Sequence, residues 1–260
     1  TPLTDRHIAD GALEFLQRET KQPFFLHVNF TGPHDPLIYP QGYEKKYTGD
    51  KMELPANFTP RHPFDHGNFE GRDEQLLPWP RTKADVLEEL AVYYAVVDHI
   101  DRQVGRLLAQ LRADGRLANT VVVFTSDHGY SMGHNGIWHK GNGHWVLKPP
   151  PAVTNKNIPR NQRPNMYDNS IFVPTAVRWP GHITPGTVLE LPVSNLDWYP
   201  TLLKLAGVAS PKGEIIRGRD ISGTLLGEKT SWPDVCYGEY STHHQSKTHM
   251  RMIRTTNWKL

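Results

Sequence analysis

Residues 120–129, TVVVFTSDHG, constrain this chain more than any other stretch, because an apolar run ends abruptly in an acid, an imidazole and a glycine. Four apolar residues in succession, Val121, Val122, Val123 and Phe124, predict a strand covered on both faces, as in parallel α/β sheets. In open sheets of that kind ligands bind beyond the carboxyl ends of the strands, and here that end carries Asp127 and His128. Gly129 lets the backbone turn tightly or approach a bound group. The same residues also suit an ordinary turn, with Asp127 capping the next segment and His128 a plain loop histidine. The rest of the chain has to decide between the two.

The order of elements favours the α/β reading. Thr4 is placed to cap a helix over residues 5–19, with Ile8, Leu13, Phe15 and Leu16 on its apolar face. Residues 23–30, PFFLHVNF, predict a second strand, which runs into Thr31-Gly-Pro-His-Asp-Pro36, where two prolines stiffen the loop around His34. Residues 37–80 are polar, proline-rich and aperiodic, and predict a long surface excursion that shapes a substrate pocket. Between 83 and 113, Leu87, Leu90, Tyr94, Val97, Ile100, Val104, Leu107, Leu108 and Leu111 fall three or four apart, a helix with Gly115 as its stop and Asp98, Asp101 and Arg102 on its solvated face. Strand, crossover helix, strand is the order of a parallel sheet with helices on both faces.

Downstream, a glycine- and histidine-rich loop (131–145) and a proline-rich insertion (148–164) precede a predicted strand at 171–179 and a short one at 191–194. A helix over 197–206 ends at Gly207, and residues 235–240 and 250–255 alternate like two strands of a small antiparallel sheet. The expected division is a main part, residues 1–232, followed by the start of a C-terminal small-sheet subdomain, 233–260.

Composition narrows the function. With 22 Pro and 21 Gly but also seven Trp and ten Tyr, the chain fits a scaffold carrying ordered loops and not a disordered polymer. A net charge of +2 without any Lys/Arg block predicts no nucleic-acid partner. No apolar run nears the roughly 20 residues that span a bilayer, so no membrane span is expected. The single Cys236 rules out an internal disulfide framework and a multi-cysteine zinc site. The opening TPLTDRHIADGALEF lacks the pattern of a signal peptide and reads like the interior of a longer protein. Asn29-Phe-Thr31 and Asn57-Phe-Thr59 match the glycosylation acceptor pattern.

Three polar groups emerge at predicted sheet edges or beside them: His34, the pair Asp127/His128, and His139-Lys140. A carboxylate oxygen and an imidazole nitrogen on adjacent residues can reach one cation, while a nearby lysine repels the cation but suits an anion bound to it. That mixture describes a metal site holding an oxyanion, with a loop histidine free to hydrogen-bond the anion or to protonate a departing alcohol. On ligand chemistry alone His128 leans toward zinc or manganese. His62, His66, His243, His244 and His249 have no comparable context and read as surface residues, His62 serving as a silent control.

The run of motifs Pro23-Phe-Phe-Leu, Pro33-His-Asp-Pro36, Tyr94 through Asp101 to Gly105, Thr125-Ser-Asp-His-Gly129, Gly133-His134 and Lys140-Gly141 resembles the type I sulfatases of the alkaline phosphatase superfamily, as do Ser170-Ile-Phe-Val-Pro174, Arg178-Trp-Pro-Gly181, Asp197 and Pro200-Thr-Leu-Leu. The resemblance implies an alkaline phosphatase-like α/β fold and hydrolysis of sulfuric esters on a sulfated small molecule or glycan. It implies that Asp127 and His128 are the second pair of ligands to a divalent cation, calcium in this family. Lys140 then binds a sulfate oxygen, His34 meets the sulfate and the leaving-group oxygen, and His139 and Asn142 complete the substrate contacts. The family's nucleophile is a formylglycine made from the cysteine of Cys-x-Pro-x-Arg, and its first metal pair is two adjacent aspartates; neither run occurs here. The chain is therefore expected to be a middle and late portion of a sulfatase, inactive alone, from a secreted or periplasmic protein. The alternatives are a phosphonate or phosphate ester hydrolase of the same superfamily and a non-catalytic cation-binding module.

Overall fold

The computed structural model describes residues 2–18, 22–63, 72–140, 166–243 and 247–260. Its first helix, α1 (Pro2–Gln17), opens on a proline, whose fixed φ and missing N–H suit a first helical turn. Thr4, expected at the cap, therefore lies inside the helix. One side of α1 buries Ala9, Ala12 and Leu16. A single turn, α2 (Arg72–Gln75), rises from the stretch expected to be aperiodic.

The long helix α3 (Lys83–Ala113) has the bounds expected from its spacing. Thr82 caps it by accepting a hydrogen bond from the Asp85 N–H at 3.1 Å. Val86, Leu90, Ala91, Ala95, Val96, Ile100, Gln103, Leu107 and Leu111 form its buried stripe. Beyond Asp114 the N–H groups of Gly115 and Arg116 return to the carbonyls of Arg112 and Leu111, with Gly115 at φ +71°, a double closure that needs a residue tolerant of the left-handed region.

Two apolar clusters hang on α3. At its carboxyl half, Leu107 and Leu111 meet Ala12, Leu16 and Leu117, with Phe24, Leu26, Val28, Phe30 and Val122 packed against them. Replacing a leucine such as Leu111 with alanine there would cost about 2–5 kcal/mol. At its amino half, Val86 and Leu90 meet Leu77, Met132 and Trp138, flanked by Phe58, Tyr93 and Tyr130. This second cluster is the floor of the site.

The strand predictions fare unevenly. β1 (Val122–Phe124) pairs with β2 (Ala176–Arg178) in antiparallel register, Val123 opposite Val177, where parallel neighbours were expected. Nor is β1 covered on both faces: Val122 packs on the helical core, but Phe124 is exposed. A run of apolar residues marks a strand without fixing what lies on its second face. Residues 23–30 are extended, and their side chains alternate between half-buried and exposed, yet they form no ladder among the described residues. Residues 171–179 divide into the end of α4 (Asp168–Ile171) and β2. Residues 191–194 form no strand, because the Ser194 N–H donates to Asp197 at 2.8 Å and the Ser194 hydroxyl accepts from Leu196, a capping arrangement that starts a helix.

α5 (Trp198–Leu205) follows and closes at Gly207 through Val208 N–H to Leu203 and Gly207 N–H to Lys204. The turn α6 (Ser222–Leu225) leads to the expected antiparallel pair, β3 (Cys236–His243) and β4 (Lys247–Arg254), in register from Cys236↔Arg254 to His243↔Lys247. No described helix is long and apolar enough to cross a membrane.

Candidate active site

The loop that carries His34 is held from beneath by α1. Asp5, with no exposed surface, accepts three hydrogen bonds on one oxygen: from the Thr31 N–H at 2.8 Å, the Thr31 hydroxyl at 3.0 Å and the Gly32 N–H at 3.1 Å. Gly32 permits that approach, because a β-carbon there would stand 2.7 Å from the Asp5 carboxylate and 2.9 Å from Val96 and Ile100. The His34 N–H then closes a turn onto Thr31 at 3.0 Å. Its ring Nδ1 lies 2.8 Å from the Asp35 carbonyl, which can only accept, so Nδ1 carries the proton and Nε2 is left as an acceptor.

Lys140 reaches that acceptor from the other side. Residues 131–139 fold back on themselves through Ser131 N–H to His139 at 3.0 Å, Met132 to Trp138 at 3.3 Å and Gly133 to Ile137 at 2.9 Å, which brings Lys140 alongside Tyr130. Its Nζ stands 5.5 Å from the Tyr130 ring centroid, 3.2 Å from His34 Nε2 and 3.1 Å from Asp35 Oδ1. Asp73 contributes a second carboxylate at 3.6 Å, and Arg72 donates to the far oxygen of Asp35 at 2.8 Å. Two cations and two aspartates thus alternate around one point. The side chains of Lys140 and Asp35 are 12% and 4% exposed, so their charges meet at reduced dielectric.

Burial alone would raise the Asp73 carboxyl, but the Arg72 hydrogen bond and the charges of Lys140 and Arg72 carry it below its ordinary value. Tyr130 moves the other way. Burial first, and then the negative charges of Asp35, Asp73 and Glu74, push its phenol well above the usual range, so it stays protonated.

Below Lys140 lies a fully buried ion pair, Glu74 with Arg81. Glu74 also accepts from the N–H groups of Trp138 at 2.7 Å and His139 at 3.0 Å, while Arg81 donates to the carbonyls of Leu77, Glu74 and Gly136 at 3.0, 3.0 and 2.9 Å. Removing one partner of such a pair costs about 3–5 kcal/mol, because the other is left charged and buried. His139 belongs to this layer. It was expected to touch substrate, but it has no exposed surface and its Nε2 lies 3.4 Å from Glu74. Asn142 falls outside the described residues.

Asp127 and His128 follow the end of β1 after Thr125 and Ser126. The His128 Nδ1 lies 2.9 Å from the Gly129 carbonyl, so it too carries the proton, and Nε2 faces Asp127 Oδ2 at 3.6 Å. Two acceptors this close repel each other unless a proton or cation is shared between them, so the pair has the donor chemistry for a divalent ion. The Ser126 hydroxyl donates to the His128 carbonyl at 2.8 Å, and the Asn195 amide donates to the Ser126 carbonyl at 3.0 Å, which fixes the loop. Among the described residues no three His, Cys, Asp or Glu gather into a metal cluster, so Asp127 and His128 would form a partial ligand set. Tyr130, two residues on, carries the ring beside the Lys140 ammonium.

Two other readings change. His62 is buried, and its Nε2 lies 3.0 Å from the Tyr167 hydroxyl, so it is no silent surface residue. Asp98 is not simply solvated either: it pairs with Lys46 and accepts from the Tyr47 hydroxyl at 3.0 Å. Burial pushes the Cys236 thiol up, which disfavours the thiolate. Sequence reasoning missed Asp5, Asp35, Asp73, Glu74 and Arg81; only Asp35, inside Pro33-His-Asp-Pro36, stood next to a residue already singled out.

Residues 2–208 match the family model Sulfatase, and residues 161–260 match N-sulphoglucosamine sulphohydrolase, C-terminal. The arylsulfatase of Clostridium perfringens is 29% identical over 238 residues, covering 90% of this chain and 44% of that protein. A phosphonate monoester hydrolase from Silicibacter pomeroyi superposes with a TM-score of 0.75 at 24% identity, over 98% of this chain and 50% of that one. A protein solved in complex with its substrate D-glucosamine-2-N,6-O-disulfate gives 0.70 at 21% identity, over 98% and 60%. The chain thus spans about half the length of the proteins it matches, and the structural likeness bears out an alkaline phosphatase-like α/β fold. With a family model that runs from residue 2 to 208 and takes in His34, Asp127, His128 and Lys140, this chain belongs to the sulfatase family.

Proposed function

We propose that these residues form the cation- and sulfate-binding part of a sulfuric ester hydrolase that acts on a sulfated carbohydrate. The observation that carries the reading is the contact of Lys140 Nζ with His34 Nε2 at 3.2 Å, next to the tyrosine that follows Asp127 and His128. The C-terminal match to an N-sulphoglucosamine sulphohydrolase supports an amino-sugar sulfate among the possible substrates.

In this reading Asp127 and His128 hold a divalent cation, calcium by family resemblance. When bound, it would draw charge from the sulfate and favour attack at sulfur. The Lys140 ammonium holds a sulfate oxygen and opposes the negative charge that develops on it. His34 handles the leaving group: once Nε2 takes up a proton from solvent, it can pass that proton to the departing alcohol oxygen, so the alkoxide never has to leave as an anion, while Lys140 keeps its charge. Asp35, held by Arg72 and Lys140, keeps the ring in the tautomer that this transfer requires, because its carbonyl accepts from Nδ1. The attacking group lies outside the described residues; the family's formylglycine would fill that role.

The test uses the complete natural chain with the sulfate, phosphate and phosphonate esters of one chromogenic alcohol, with and without chelator. Chelator-sensitive release from the sulfate ester is expected to dominate. Dominant release from the phosphonate would move the chain to that branch of the superfamily, and binding of a cation without turnover of any ester would leave a binding module.

A further inference from the structure

The turn α2 sits in a stretch that the sequence marks only as surface excursion, yet its charged residues reach three parts of the site. Arg72 grips Asp35, the neighbour of His34, at 2.8 Å. Asp73 stands 3.6 Å from the Lys140 ammonium. Glu74 accepts from the N–H groups of Trp138 and His139, the two residues that lead into Lys140. Arg81 locks the other Glu74 oxygen and donates to the Gly136 carbonyl at 2.9 Å, so the residues leading into Lys140 are tied down at Gly136, Trp138 and His139.

We infer that Asp73 and Glu74 are positioning residues for Lys140 in sulfate-ester cleavage, Glu74 fixing its main chain and Asp73 its ammonium; the inference rests on the sulfatase reading above. A lysine stem is flexible and its head is a compact charge, so the backbone alone cannot hold Nζ in one place. Asp35 at 3.1 Å and Asp73 at 3.6 Å bracket it. Misplacing such a group by about 1 Å can cost on the order of 10²-fold in rate.

The two carboxylates also offset the lysine's charge, so they do not improve its attraction for an anion. Without the Asp73 charge, Lys140 would attract an anionic substrate at least as well while meeting the transition state less accurately. A positioning role therefore lowers kcat in a protein that is fully folded, whereas a merely structural role lowers the apparent kcat only as far as it lowers the folded fraction, at unchanged KM.

In the complete natural chain, Asp73→Asn is expected to lower kcat on a sulfate ester about tenfold or more, with KM unchanged or lower and an unaltered melting temperature. Glu74→Gln should lower kcat as well, but Glu74 is buried and the substitution also loosens the fold, so Asp73→Asn decides. A folded Asp73→Asn with wild-type kcat, or with a raised KM and unchanged kcat, overturns the inference. Labelling of Lys140 by acetic anhydride, read by mass spectrometry, gives a measure independent of turnover. It should quicken several-fold in Asp73→Asn, and an unchanged rate overturns the positioning role even in a protein that cleaves no sulfate ester.

Discussion

Lys140 donates to His34 Nε2 across 3.2 Å, although the two residues lie 106 positions apart in the chain. Only an Nε2 without a proton can accept that bond, and the Asp35 carbonyl on the opposite nitrogen places the ring proton on Nδ1. The contact therefore specifies a protonation state as well as a distance. Lys140→Ala and His34→Ala in the complete natural chain should each lower turnover of a sulfate ester by about 10²-fold or more. The double variant should fall well short of the product of the two losses, because they act through one hydrogen bond. Steady-state kinetics of the three proteins checks this, and wild-type turnover in either single variant would remove that residue from the site.

Asp127→Ala removes a ligand and its charge together, so calcium binding by titration calorimetry should disappear and activity with it. Asp127→Asn keeps the shape and should bind weakly. The His128 tautomer gives a second readout: its Nδ1 proton, already bonded to the Gly129 carbonyl, should persist when cation is added, visible in a nitrogen-detected imidazole spectrum.

Asp5 offers a test far from the chemistry. Asp5→Asn keeps the size but brings an amide donor toward the Thr31 and Gly32 N–H groups, whereas Asp5→Ala orphans them. Asp5→Ala is expected to lose about 1–3 kcal/mol in urea unfolding for the unpaired donors, and turnover should fall further than stability because the His34 loop is freed.

His62→Ala would make a poor control. The ring is buried and contacts the Tyr167 hydroxyl at 3.0 Å, so about 1–3 kcal/mol of stability should be lost. A denaturation midpoint indistinguishable from wild type would show that this contact is dispensable. Exposed Lys212→Ala is the better silent variant.

The end of the chain carries a pH signature. Asp168 accepts from Arg254 at 3.0 and 3.1 Å and from Lys259 at 2.7 Å. Burial would raise its carboxyl, but these cations bring it below the ordinary 3.8. A carboxyl depressed in the folded state adds stability that is fully present above its unfolded value and fades as pH falls through the folded one. The protection of the β4 amides, taken relative to their intrinsic exchange, should therefore fall below about pH 4, and Asp168→Asn should flatten that dependence while lowering protection at neutral pH.

Local signals were the legible part of this fold. Gly115 after α3 and Gly207 after α5 announce themselves because a helix end is settled within a few residues. The Ser194-x-x-Asp197 cap is equally local, and it starts a helix where residues 191–194 suggest a short strand. His34, Asp127, His128 and Lys140 were legible as residues in motifs, but what holds them was not. Asp5 acts 26 positions away on Thr31, and Glu74 acts 64 away on Trp138; until the chain is folded Asp5 looks like an ordinary helix-surface acid and Glu74 like one more polar residue of a surface loop. The partner of β1 was hidden for a related reason, since apolar spacing sets which side chains face inward but not the direction of the neighbouring strand.

The two apolar clusters share one helix, the first turns of α3 lying under Lys140 and the last turns under α1 and residues 24–30. A 31-residue rod common to both leaves neither half a separate melting unit. Heating should then erase the anion-binding corner and the helical pair in one calorimetric transition, so that melting the helix is felt at Lys140 and under α1 alike.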